Sequence, residues 1–132
     1  MNTNGGPQPP EGNSSAAGAS CAIEQIQVGP ICVVSVSGTV DMLTAPQLEA
    51  AIAVATGAAA PTAVVVDLSA VDFLASSGMG VLVAAHAELS PTVRLVVVAD
   101  GPATSRPLKL VGVADLIDMF ANLDDALAAL ST

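Results

Sequence analysis

Two β-branched runs frame the middle of this chain: AVVVDL at residues 63–68 and VRLVVVA at 93–99. Each is a continuous apolar stretch of strand length, the pattern of a strand buried on both faces. Between them lies SSGMGVLVAAHAEL (76–89), long enough for a helix of about 21 Å at 1.5 Å per residue. Two buried strands joined by such a helix are most economically parallel neighbours with a right-handed crossover. This strand–helix–strand unit restricts the chain to a layered α/β architecture.

The flanking segments extend the unit. CAIEQIQV and ICVVSVSG meet at Gly29-Pro30 and read as a hairpin, with Val28 opposite Ile31. TAPQLEAAIAVATG then carries a helix start, with Thr44 as N-cap, Gln47 three residues on and Pro46 in the first turn. Ala45, Leu48, Ile52 and Ala55 recur at steps of three and four and mark its inward face. After the second buried strand, Asp100 and Gly101-Pro102 open a helix that runs to about Val111. LIDMF forms a short strand, and Asn122 caps LDDALAAL with Asp124 and Asp125 in the first turn. The expected order is β-β-α-β-α-β-α-β-α, a mixed sheet of roughly five strands with about four helices in one domain.

The 132 residues suffice for one aliphatic core and not for two. Residues 1–20 are rich in Gly, Pro, Ser and Asn and have too little apolar content to repay ordering; they are expected to be a disordered tail, with the domain over 21–132. They show neither the basic nor the apolar region of a signal peptide. No uncharged run is free of breakers over a membrane-spanning length, so no membrane association is expected and a cytoplasmic location is.

Twelve acidic residues against Arg94, Arg106 and Lys109 give a net charge of −9, which repels nucleic acid phosphates and anionic lipid. With no Trp or Tyr, the chain also lacks stacking platforms for single-stranded nucleic acid. A protein or small-molecule partner fits better. In the hairpin register, Cys32 faces Gln27 and Cys21 faces Gly38, roughly 20 Å apart at about 3.3 Å per residue, so no disulfide joins them. Two cysteines and His86 do not make a zinc ligand set, and no metal or cofactor is expected.

The stretch DFLASSGMG (72–80) raises the functional question. A nucleophile elbow needs Gly two positions either side of its Ser, but Ser76 has Leu74 before it. The only histidine, His86, lies ten residues further along the same helix, about 15 Å away, and cannot serve Ser76 as a base. No lysine follows the glycines to complete a phosphate-binding loop. No enzyme is expected. Ser76 reads as an N-cap, yet the helix from Gly78 to Ala87 carries no charge. Its outer side, including Met79 and Val83, is either a docking surface or tight core packing.

GTVDMLTAPQLEAAI, VVVDLSAVDFLASSGMGVLVAAHAEL and SRPLKLVGVADLIDMF resemble, in order and spacing, the STAS-domain anti-sigma factor antagonists of bacteria. The likeness covers about residues 22–130. It implies a five-stranded, four-helix fold and a partner-switching role. Such proteins, when unphosphorylated, bind an anti-sigma factor that is also a serine kinase, freeing a sigma factor for transcription, and the resemblance implies that phosphorylation breaks the complex. The phosphorylated serine corresponds to Ser76, with Ser77 the alternative. Asp41, from the Gly-x-x-Asp element at Gly38, is either a contact for the partner or a solvated loop acid. Ala75 departs from the family pattern, which has Asp immediately before the phosphorylated serine. The competing function is a STAS module that binds a nucleotide or other small ligand, or scaffolds another complex, without a serine switch.

Overall fold

The computed structural model describes residues 21–131; the expected tail at 1–20 lies outside them. The chain forms β1 (Cys21–Val28), β2 (Ile31–Val40), α1 (Ala45–Ala59), β3 (Ala63–Leu74), α2 (Ser76–Leu89), β4 (Arg94–Val98), α3 (Ser105–Leu110), β5 (Asp118–Phe120) and α4 (Leu123–Leu130). A 3-10 turn at Val113–Asp115 is an element the sequence pattern does not announce. The strands lie in the order β1-β2-β3-β4-β5; β1 is antiparallel to β2 and every other pair is parallel.

The hairpin has the expected register, Val28 opposite Ile31 and Cys21 opposite Gly38, and both cysteines are free thiols. Gly29 takes φ +59 in the two-residue turn, a conformation open to glycine at no steric cost.

Alternation along the strands divides the core in two. Cys32, Val34, Val36, Val64, Val66, Leu68 and Val97 meet α1, α2 and α3 on one face through Leu48, Ile52, Leu82 and Leu108. Ile31, Val33, Val65, Val96 and Val98 meet α4 on the other. The predicted inward residues of α1 are all buried. At α4, Asn122 caps as expected, its Oδ1 accepting from the Asp125 amide at 2.8 Å.

Three local expectations are corrected. β3 runs six residues past Leu68, because register shifts at Ser35/Ser37 and Gly38/Thr39 let its second half keep pairing with β2 after strict alternation fails. α3 starts at Ser105 rather than near Gly101, since Gly101 stands at φ +107 and its backbone exchanges hydrogen bonds with the Ser105 hydroxyl instead. Thr44 is the first cap residue of α1, but its side chain does not cap: Oγ1 accepts from the Asp41 amide and donates to the Thr39 carbonyl, both at 2.8 Å. Gln47 is used elsewhere, accepting from the Cys21 thiol at 3.3 Å.

Candidate functional site: the rim carrying Ser76

Parallel strands deliver their following loops to one end of the sheet. Here the Ala75 amide donates to the Val40 carbonyl at 2.8 Å, tying the end of β3 to the end of β2. Asp41 and Ser76 each follow directly after one partner of that bond. The topology therefore brings the two sequence-predicted positions to a shared rim.

The Asp41 carboxylate organises its side of the rim. Its Oδ1 accepts from the amides of Leu43 and Thr44 at 2.9 and 3.1 Å, closing a turn before α1. That turn displays Met42 and Leu43, which are 77% and 72% exposed. Phe73 at the end of β3 is a third exposed apolar group at this end of the sheet. Beside it, Asp72 accepts from the Thr39 hydroxyl at 3.1 Å. No Lys or Arg occurs in residues 39–44 or 72–80, so the part of the rim these segments form is apolar and acidic. Arg94 is paired with Asp118.

The start of α2 separates the two serines. Ala75, with φ −83 and ψ 169, occupies the N-cap position, and Ser76 is the first helical residue. This corrects the assignment of Ser76 as the cap; Ala75 has no side-chain acceptor, and no side chain caps the helix. Ser76 is exposed. The Ser77 hydroxyl oxygen is shut off from solvent and has no hydrogen-bond partner among the described residues.

Gly78 explains how the helix packs so close. A Cβ placed there would lie 2.6 Å from Val40 Cγ1 and 2.8 Å from Leu74 Cδ1. Met79 follows it inward. At 8% exposure Met79 belongs to the core, the packing alternative rather than the docking face, and Val83 is half-buried against the same cluster. The outward face of α2 consists of Ser76, Gly80, Ala84 and Ala87, all exposed. Its first three turns are uncharged because their residues are small, and a partner can approach the helix backbone closely there; Glu88 is exposed in the last turn. His86 lies at the far end, in the last turn of α2.

Cys21 adjoins the rim from β1. Burial pushes its thiol above the ordinary range, a hydrogen bond from Thr44 opposes this, and the Asp41 carboxylate adds to the rise. Among the described residues no group of three His, Cys, Asp or Glu side chains is placed to hold a metal, and no helix is long and apolar enough to cross a membrane.

A mixed five-stranded sheet, a closely packed helix with an exposed leading serine and an apolar, acidic rim define a small α/β module built for protein docking. The chain belongs to the STAS domain family, whose model matches residues 22–126. It is 42% identical over 97 residues to the anti-sigma-F factor antagonist RsfB of Mycobacterium tuberculosis, spanning 74% of this chain and 79% of that protein. A crystal structure of an anti-sigma factor antagonist from Mycobacterium paratuberculosis superposes with a TM-score of 0.80 at 44% identity, covering 86% of this chain and 96% of the other. The Bacillus cell fate determinant SpoIIAA in its phosphorylated form shares the fold at 20% identity, with a TM-score of 0.63 over 83% of this chain and 99% of that one.

Proposed function

We propose that this chain is a cytoplasmic anti-sigma factor antagonist that acts by binding rather than by catalysis. Its unphosphorylated form binds an anti-sigma factor through the rim and so releases a sigma factor for transcription. The anti-sigma factor is of the serine-kinase type and phosphorylates Ser76. The contrast between the two serines carries this reading: Ser76 is exposed at the head of α2, whereas the Ser77 oxygen is closed to solvent.

The chemistry needs no base from this chain. The Ser76 oxygen attacks the γ-phosphorus of the kinase's ATP, an O–P bond forms, the bond to the β-phosphate oxygen breaks, ADP leaves and the hydroxyl proton passes to the kinase or solvent. The product carries about −1.5 to −2 additional charges. With no cation in the flanking segments, that charge remains at the interface, where it faces desolvation and repels Asp41, Asp72 and any acidic partner group. Met42, Leu43 and Phe73 supply the apolar contacts that such a complex buries. Asp41 supports the complex by fixing the turn that carries two of them.

The test is incubation with candidate anti-sigma kinases and ATP, read by intact mass. Wild type is expected to gain one phosphate, Ser77→Ala to gain it too, and Ser76→Ala to gain none while still binding the kinase. A phosphate that persists on Ser76→Ala would refute the assignment.

A further inference from the structure

We infer that the first turn of α2 is built to open, releasing Ser76 from the helix into a kinase active site, with Ala75 and Ser77 as positioning residues for that step. The inference rests on Ser76 being the phosphate acceptor. Three features of the turn favour opening. Ala75 has the extended backbone of an N-cap but no side-chain acceptor, so the leading amides of α2 receive no cap. The Ser77 hydroxyl is buried without a partner among the described residues and gains water when the turn unwinds. Gly78 lies within the same turn, and glycine recovers more backbone freedom on opening than any other residue type.

The opening has defined limits. Upstream, the Ala75 amide is fixed to the Val40 carbonyl. Downstream, Met79 and Leu82 are buried in the core. The turn between these anchors is held by the Gly78 and Met79 amides donating to the Ala75 carbonyl, at 3.0 and 3.2 Å, and by the helix bonds that the Ser76 and Ser77 carbonyls accept from amides four residues on. Breaking the bonds to the Ala75 and Ser76 carbonyls frees Ser76, lets water reach the Ser77 hydroxyl and leaves the body of the helix docked. In-line attack requires the serine oxygen to reach a γ-phosphate inside the kinase. A residue on a short released loop reaches further than one held against a helix surface.

Amide hydrogen exchange at Gly78 and Met79 reads the opening without any partner. In wild type both amides are expected to exchange well ahead of those of Leu82 to Ala85. Ala75→Asn supplies a neutral cap and is expected to slow them about fivefold, and Ser77→Ala is expected to slow them by at least a similar factor. Each variant is also expected to be phosphorylated more slowly than wild type while keeping its unphosphorylated affinity for the same kinase. Asn is chosen over Asp so that no new carboxylate contacts the kinase.

Gly78 and Met79 amides as protected as the helix centre would overturn the inference. So would an unchanged phosphorylation rate in a variant whose exchange has slowed. Failure of wild type to take phosphate at Ser76 would instead remove the proposed function, and the exchange measurement would still decide whether the turn opens.

Discussion

Gly78→Ala and Gly80→Ala place the same methyl group on the same helix two residues apart, with opposite consequences for stability. At Gly80 the new Cβ meets nothing within 4 Å, so the substitution keeps only the helix-propensity gain, about 1 kcal/mol. At Gly78 the new carbon lies 2.6 Å from Val40 Cγ1 and 2.8 Å from Leu74 Cδ1. Carbon pairs prefer about 3.5–4.0 Å, so the overlap is close to 1 Å. Neither neighbour has room to yield, since Val40 is 0% and Leu74 4% exposed. Relief requires a strained rotamer or an outward shift of α2, at about 1–3 kcal/mol. Because both variants gain similar propensity, their difference isolates that packing cost. It amounts to a gap of roughly 4–12 °C in Tm for a domain of this size. Thermal and urea melts of the two proteins check it. Equal stability, or Gly78→Ala the more stable, would show that α2 is not seated against Val40 and Leu74 as described.

Two further predictions concern the rim and the thiols. Leu43→Asp is expected to weaken anti-sigma binding at least tenfold while shifting Tm little, because Leu43 is 72% exposed; Met79→Asp, at 8% exposure, is expected to abolish cooperative unfolding instead. Isothermal titration and circular dichroism separate the two outcomes. Both cysteine thiols have raised pKa values through burial. The unfolded chain therefore loses these protons first, at about pH 8.5, and stability falls as pH rises from there toward the folded pKa values. Replacing both residues with Ala is expected to flatten urea stability between pH 8 and 10, and an unchanged slope would contradict this linkage.

The legible and illegible parts of this fold differ in what sets them. A two-residue turn dictates hairpin register, so the pairing of Cys21 with Gly38 and of Gln27 with Cys32 follows from locating Gly29-Pro30. α2 could be bounded at Ser76–Leu89 because β-branched strands flank it on both sides. The second half of β3 could not, since its burial steps by three from Leu68 to Val71 to Leu74, a spacing that does not read as a strand until the shifts in β2 are known. The 3-10 turn after α3 is set by the chain's return to the core at Val113 and Ile117, which no local pattern announces.

The site shows the same division more sharply. Residue types and spacing marked Ser76 and Asp41, but orienting a helix from its sequence depends on a charged face, and α2 has none from Gly78 to Ala87. Met79 therefore read equally well as outward or inward, and only the clearance at Gly78 decides it. With Gly78 pressed against Val40 and Leu74, the residue beside it turns into the core, and Ser76, Gly80, Ala84 and Ala87 are left outside. The same rotation buries the Ser77 oxygen and exposes its neighbour. One glycine thus sets both how closely α2 packs and which of two adjacent serines the closed helix exposes, so enlarging it is expected to disturb that exposure along with the stability.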